Sequence, residues 1–316
     1  GYGIIGGLRE VSYERSVSHP VGTRRKQQYA IWGGTHVKVS FLNENTANKR
    51  GFLGELGLSL LIEWDGGKIL FDTGQTDVFL RNAARMGADL EGLSAIVLSH
   101  GHFDHCGGLE YLLEGAAGLP PVYVRRSAFE DKQAVNADGK TYRKIGIPWR
   151  EELKERRREL LERSIRWSGD RMEILPGVHL LGNIPYTVDF EGRPGNFFVE
   201  TGGAHRPDYM DDEQLLVIET EKGLSIFAGC SHPGIVNCVE YVRKCLPGRP
   251  IYSLVAGMHL LNSPRARVEQ TIEALRAMDI PVLVPVHCTG ILAIARMKEA
   301  FGETCRLAEA GMVVEI

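Results

Sequence analysis

Six consecutive positions of this sequence, 100 to 105, contain four side chains that can bind a metal ion. They belong to His100, His102, Asp104 and His105. Imidazole and carboxylate ligands together suit zinc, iron or manganese, and two ligands per ion leave room for two ions. A polar loop whose histidines only form hydrogen bonds is the alternative. Three histidines and an aspartate at this spacing favour a divalent metal centre of one or two ions, with zinc as the first choice over manganese or iron.

The residues before this segment indicate how it is held. Residues 95–98 are apolar and predict a buried strand that leads into the first histidine. Asp72 follows another apolar run, residues 69–71, so its carboxylate could accept the free N–H of a metal-bound histidine. Capping of a helix around residues 77–86 is an equally good interpretation of Asp72.

Three later predicted strands each lead into a histidine. These are His232 after residues 224–228, His259 after residues 251–256, and His287 after residues 282–286. Strand ends on one side of a sheet are where α/β proteins place their ligands. We therefore expect His232 and His287 to be further metal ligands, although each could have a purely structural role.

Two of these segments stand directly before predicted helices, at Ser231 and at Thr289-Gly290. Exposed N–H groups at helix starts favour an anion. We therefore expect Ser231, Thr289 and Gly290 to bind an anionic substrate group, with phosphate or diphosphate as the natural choice beside cationic metals. Ordinary N-capping by Ser231 and Thr289 is the alternative, and it can coexist with anion binding.

Composition narrows the class of protein. With 316 residues, 43% of them hydrophobic, the chain is long enough for one large α/β domain or two small ones. A net charge of −3 makes a nucleic-acid partner improbable, because such a surface normally has a basic excess. No apolar run is long enough to cross a membrane. Six scattered cysteines without a paired motif indicate reduced thiols and a cytoplasmic protein. The oligomeric state does not follow from the sequence.

The pattern His-x-His-x-Asp-His after an apolar strand resembles the metallo-β-lactamase superfamily of binuclear metal hydrolases. Several further motifs resemble the branch named for 7,8-dihydropterin-6-methyl-4-(β-D-ribofuranosyl)aminobenzene-5′-phosphate synthase. They are Phe71-Asp72-Thr73-Gly74, Ile145-Gly146-Ile147-Pro148, Asp212-Glu213-Gln214-Leu215, Gly229-Cys230-Ser231-His232 and Val286-His287-Cys288-Thr289-Gly290. The resemblance spans about residues 36 to 316.

The arrangement of predicted elements agrees with this resemblance. Two β-rich halves, each followed by helices, suggest two packed sheets with helices outside, and the resemblance implies a four-layer αββα sandwich. We expect an N-terminal arm over residues 1–35, a single domain over residues 36–316, and a helical insertion around residues 125–170. This insertion could act as a lid, with Arg143 and Lys144 reaching an anionic substrate.

The resemblance also implies roles for individual residues. His287 matches the last ligand position of the superfamily, and His259 resembles the non-ligand histidine of ribonuclease-Z-like relatives, which implies proton transfer or substrate contact. The superfamily's bridging aspartate is replaced here by Cys230. Either Cys230 is a thiolate ligand, or the bridging role is absent and His232 coordinates instead. Asp104 would hold the attacking water as well as the metal.

The resulting hypothesis is a metal-dependent hydrolase or transferase that acts on a phosphorylated or pyrophosphorylated small molecule. In the resembled branch the implied reaction displaces pyrophosphate from a pterin-methyl diphosphate. A ribonuclease-Z-like phosphodiesterase, iron-based redox chemistry and a non-catalytic metal- or ligand-binding protein are the alternatives. Of the remaining histidines, His205 could line the site, whereas His179 lies within a β-run and is expected to be structural.

Overall fold

The structure is a computed structural model and describes residues 36–114, 117–150 and 153–316. The predicted arm over residues 1–35 lies outside the described residues, and the single domain over residues 36–316 stays a prediction. Within the described ranges, no helix is both long and apolar enough to cross a bilayer.

The described residues form seventeen strands and seven α-helices. The strands are β1 (Lys38–Asn43), β2 (Ser59–Trp64), β3 (Gly67–Phe71), β4 (Ala95–Val97), β5 (Val122–Val124), β6 (Asp131–Val135), β7 (Tyr142–Lys144), β8 (Ile165–Trp167), β9 (Arg171–Leu175), β10 (Val178–Gly182), β11 (Phe197–Thr201), β12 (Ala204–Pro207), β13 (Gln214–Thr220), β14 (Gly223–Ala228), β15 (Ile251–Gly257), β16 (Val282–Val286) and β17 (Val313–Glu315). The helices are α1 (Val78–Met86), α2 (Phe103–Cys106), α3 (Leu109–Leu112), α4 (Glu155–Ser164), α5 (Ile235–Cys245), α6 (Arg265–Ala277) and α7 (Ile291–Phe301). Short 3₁₀ turns occupy Arg126–Phe129, Pro148–Arg150, His287–Thr289 and Gly302–Thr304.

Most strands belong to two large mixed sheets. The first sheet has the order β17-β1-β2-β3-β4-β5-β8, and the second has the order β16-β15-β14-β13-β10-β9. Strands β3, β4, β5 and β8 run parallel in the first sheet, as do β14, β15 and β16 in the second. Because parallel strands end at the same edge, the loops that follow them are brought together there.

Alternation of side chains along the strands divides the core into layers. Phe71 on β3 and Phe227 on β14 belong to the cluster buried between the two sheets. Leu70, the neighbour of Phe71, points to the opposite face and packs in the cluster that contains Phe79 of α1. Ile226 likewise belongs to the cluster that includes α5, α6 and α7. The prediction of a four-layer αββα sandwich is confirmed.

The insertion differs from the prediction in its secondary structure. Helix α4 is present, but strands β6 and β7 form part of a third sheet with the order β12-β11-β6-β7. We call this the small sheet. Its strands are joined by antiparallel pairing between β6 and the distant β11, a non-local contact that the periodicity of residues 125–170 alone could not reveal.

A buried ion-pair network attaches the small sheet to the rest of the fold. The Lys132 ammonium on β6 lies 2.6 Å from Asp208 Oδ2 and 2.9 Å from Asp212 Oδ1. All three side chains are almost entirely buried. Asp212 also accepts the N–H of Gly101 at 2.7 Å, between the first two histidines of the metal motif. The network therefore links the small sheet to that loop.

We expect Lys132→Met to lower the free energy of unfolding by about 3–5 kcal/mol, because it leaves two buried carboxylates without their cation. Chemical denaturation measures the change. Lys140→Met is the matched control, since Lys140 is exposed in the same hairpin and should change stability by less than about 0.5 kcal/mol. An equally small effect of Lys132→Met would show that the network contributes nothing.

Candidate metal centre

The predicted ligands lie where the parallel strands of both large sheets end. His100 follows β4, and α2 carries Asp104 and His105, while His232 follows β14 and His287 follows β16. Their backbones are constrained by unusual conformations. Four non-glycine residues around the centre have positive φ angles, namely Asp72 (58°), Ser231 (53°), His259 (49°) and His287 (50°). Such conformations are costly for ordinary residues and concentrate at functional sites.

Three histidines form one group of potential ligands, which we call subsite 1. The ring centroids of His100 and His102 are 4.5 Å apart, and those rings lie 4.8 and 4.9 Å from the ring of His232. Their ligand atoms lie within 4.8 Å of one another. The Nε2 atoms of His100 and His102 are buried without a hydrogen-bond partner. Buried polar atoms are rarely left unpaired, so subsite 1 fits a metal ion.

A second group, subsite 2, consists of Asp104, His105 and His287. The Nε2 atoms of His105 and His287 are 3.1 Å apart, and Asp104 Oδ2 lies 3.5 Å from His287 Nε2. These ligand atoms also lie within 4.8 Å of one another. An imidazole pair with a carboxylate fits a divalent cation such as zinc.

Cys230 lies between the two subsites. Its Sγ is 3.2 Å from His105 Nε2 in subsite 2, and it also groups with His100 of subsite 1. The sequence left two alternatives for this position, a Cys230 ligand or coordination by His232 in its place. In the structure the Cys230 thiol lies close to both subsites, and His232 lies with His100. The two interpretations are therefore compatible with each other.

Hydrogen bonds hold the far sides of the His105 and His100 rings. Asp72 Oδ2 lies 2.7 Å from His105 Nδ1, as the metal-orienting interpretation of Asp72 predicted. The same carboxylate accepts the N–H and the hydroxyl of Ser99, each at 2.7 Å, and Ser99 Oγ lies 2.8 Å from His100 Nδ1. The helix-capping alternative fails, because Asp77 occupies the N-cap position of α1.

Two further orienting residues were missed by the sequence analysis. Glu213 Oε2 lies 2.6 Å from His232 Nδ1, and Asn45 Oδ1 lies 2.8 Å from His287 Nδ1. Glu213 belongs to the motif Asp212-Glu213-Gln214-Leu215, which contributes to the family resemblance but has no assigned role there. Asn45 lies in a polar loop after β1. Neither position has a local pattern that identifies its distant partner.

Burial keeps most of the imidazoles neutral. It lowers the pKa of His100, His102 and His287 well below the ordinary histidine value, and neighbouring histidines add to the effect. Burial alone would also lower the pKa of His105, but Asp72 and Asp104 outweigh it and raise the pKa of His105 to about 9. Neutral imidazoles are the form that binds metal.

The predicted anion-binding residues already make hydrogen bonds within the protein, and anion binding by them stays a prediction. The N–H of Ser231 donates to Glu213 Oε1 at 2.6 Å, and the N–H of Gly290 donates to His287 O at 3.2 Å. The Thr289 hydroxyl accepts the N–H of Met258 at 3.0 Å. Only the Gly290 bond lies within its own turn, since the partners of Ser231 and Thr289 come from other parts of the chain.

A protein carboxylate occupies the start of helix α5. Glu191 accepts the N–H groups of Val236 and Asn237 at 3.1 and 2.7 Å, and it pairs with Arg267 at 3.1 Å. The favourable position for an anion at this helix start is therefore taken by the side chain of Glu191.

His259 lies at the exposed side of the centre. Its ring centroid is 4.7 Å from that of His232. Phe197, on β11 of the small sheet, contacts the rings of His102, His232 and His259 at centroid distances of 5.2, 5.4 and 5.9 Å. The small sheet thus covers the centre with an aromatic side chain.

Other predicted residues lie elsewhere. Arg143 donates to Val135 O and Asn136 Oδ1 within its own hairpin. Lys144 lines a separate pocket that the histidines do not border.

His205 is on exposed β12, stacked on Tyr142 at 3.8 Å, so the suggestion that it lines the site was wrong. His179 pairs with Glu219 at 2.8 Å, in keeping with a structural role.

Comparison with known proteins agrees with this geometry. The profile of the metallo-beta-lactamase superfamily matches residues 54–242. A Methanocaldococcus jannaschii protein named 7,8-dihydropterin-6-methyl-4-(beta-D-ribofuranosyl)-aminobenzene-5′-phosphate synthase is 30% identical over 89% of this chain and 97% of its own length. An uncharacterised protein of the same organism is 33% identical over 83% of this chain and 94% of its own length.

The crystal structure of Tm1679, described as a metal-dependent hydrolase of the β-lactamase superfamily, superposes with a TM-score of 0.73 at 32% identity, covering 89% of this chain and 99% of Tm1679. The matched profile spans more than half of the chain and includes the whole first metal motif. The chain therefore belongs to the metallo-β-lactamase superfamily.

Proposed function

We propose that this protein is a metal-dependent hydrolase or transferase that cleaves a bond to phosphate or diphosphate in a small molecule. The observation that carries the proposal is the convergence of two ligand groups, subsites 1 and 2, on Cys230. In this proposal the metal ligands are His100, His102, His232, Asp104, His105, His287 and Cys230. Zinc is the proposed ion, because imidazole and thiolate ligands suit it better than manganese.

A bound divalent cation would polarise a phosphoryl oxygen and lower the pKa of a bound water. Residues of the chain would position the attacking water and the leaving group. Asp104, half-buried beside His287, is placed to hold the proton of an attacking water. His259, beside His232, is placed to contact the leaving group rather than to protonate it, because desolvation of its ring and the neighbouring His232 lower its pKa to about 3.

A pocket next to His259 supports a substrate of small-molecule size. It has a volume of about 390 Å³ and is bordered by His232, Asn196, Ser263 and Arg267 among others. This volume is within the range of small-molecule sites. One relative is named as the synthase of a phosphorylated dihydropterin compound. A dihydropterin-type diphosphate is therefore our finer proposal for the substrate.

A cytoplasmic location accompanies this proposal. All six cysteines are unpaired, which supports a reducing compartment.

Metal analysis of the purified protein, combined with assays on bis-p-nitrophenyl phosphate and on phosphate monoesters and diphosphates, tests the proposal. We expect up to two equivalents of zinc, loss of activity after chelation and recovery when zinc is returned. Protein without metal or activity would favour a binding protein on the same scaffold. Iron with oxygen uptake would contradict a phosphate-cleaving enzyme, and activity on RNA alone would favour the ribonuclease-Z-like alternative.

His102→Ala removes a buried imidazole of subsite 1. We expect the bound metal to fall by about one equivalent and kcat/KM to fall by at least about 100-fold, because even loss of an orienting residue can cost that much. His179→Ala is the control, since His179 pairs with Glu219 away from the centre. Unchanged metal content in His102→Ala would show that His102 is not a ligand.

Glu213→Gln tests the orienting residue of His232. We expect zinc affinity to fall about 10- to 100-fold, since the amide cannot match the carboxylate that holds the imidazole N–H. Competition with a chromophoric chelator measures the affinity. The matched control is Glu219→Gln, which alters the carboxylate beside the structural histidine His179. Equal affinities in both variants would contradict the role assigned to Glu213.

A further inference from the structure

A second thiol lies beside Cys230. Cys230 follows β14 and Cys288 follows β16, the two strands that flank β15 in the second sheet. The sulfur atoms of both residues and a ring nitrogen of His287 lie within 4.8 Å of one another. The Cys288 sulfur lies 3.6 Å from Cys230 O and accepts the N–H of His259 at 3.3 Å. Cys288 is thus held at the centre, although none of the roles described above involves it.

The strand between the two cysteines leaves room for this thiol. Gly257 ends β15, and a Cβ at this position would lie 2.1 Å from Gly229 O and 2.8 Å from the Cys288 sulfur. Both distances are shorter than those at which side-chain carbons approach other atoms in proteins. Glycine at position 257 therefore leaves room for the backbone of Gly229 and for the sulfur of Cys288.

We propose that Cys230, His287 and Cys288 form a thiol-rich cation subsite that makes the centre select thiophilic ions such as Zn²⁺ over Mn²⁺. Thiolates bind zinc and cobalt well, whereas manganese prefers oxygen ligands. On binding, each thiol releases one proton to solvent as its sulfur–metal bond forms, and no electron is transferred. The inference rests on the proposed metal centre and adds Cys288 to its ligands.

The thiol-rich subsite shares His287 with subsite 2 but differs from it in its other ligands, which are the two cysteines. His287 can serve either group, because its Nε2 lies 3.1 Å from His105 Nε2, and Cys230 contacts the same nitrogen of His105 at 3.2 Å. A cation held between Cys230 and His287 is therefore within reach of Cys288 on one side and of His105 on the other. Replacing Cys288 should alter selectivity while the histidine ligands stay in place.

Cobalt titration of the metal-free full-length protein provides a test that does not depend on activity. Thiolate-bound Co²⁺ has a charge-transfer absorption in the near ultraviolet, and its intensity rises with the number of sulfur ligands. We expect Cys288→Ser and Cys230→Ser each to lose about half of this absorption and the double variant to lose all of it. Cys245→Ser is the control, since Cys245 ends helix α5. We also expect the ratio of zinc to manganese affinity to fall at least 10-fold in Cys288→Ser.

Alkylation provides a second measurement. Cys288 is half-buried, so iodoacetamide should modify it in the metal-free protein, and zinc should slow this modification at least 10-fold without affecting Cys245. Full thiolate absorption in Cys288→Ser, with cobalt still bound, would overturn the inference and leave the metal centre intact. Failure of the wild-type protein to bind cobalt or zinc would instead overturn the proposed function itself.

Discussion

The centre depends on hydrogen bonds that fix the outer nitrogen of four of its imidazoles. These join His100 to Ser99, His105 to Asp72, His232 to Glu213 and His287 to Asn45. With Nδ1 engaged, Nε2 of each of these four rings is left for the interior of the site. Such partners fix both the tautomer and the orientation of a ligating histidine. Without these hydrogen bonds, nothing would orient the rings, which come from loops of two different sheets, toward one shared metal site.

The buried carboxylates around the centre carry an electrostatic cost. Asp72 and Glu213 are buried with the histidines, and burial raises the pKa of Asp72 because it penalises the charged form. His105, whose pKa Asp72 and Asp104 raise to about 9, supplies a positive charge beside Asp72, whereas the neutral imidazoles of His100 and His102 supply none. A bound cation would add positive charge beside the histidines and their orienting carboxylates. Lys132 has the same role for Asp208 and Asp212 beneath the small sheet.

Alternating and apolar segments suggested two packed sheets with helices outside, and the resemblance to the superfamily implied their four-layer arrangement. The small sheet was not predictable, since β6 and β11 pair across more than sixty intervening residues. The occupied start of α5 was not predictable for a similar reason. A helix start looks free in the sequence, but the side chain that fills it, Glu191 at α5, comes from a distant loop.

The sequence by itself determined the cluster of potential ligands from His100 to His105, because this depends on local spacing, and its motifs carried the resemblance that implied the superfamily and the layered fold. Only the tertiary structure decided which residues meet them. It placed His232 with His100, His287 with His105 and Cys288 beside Cys230, and it identified Glu213 and Asn45 as orienting groups. The physical reason is that hydrogen bonds and shared ligand positions depend on distances across the chain, and chain folding sets those distances.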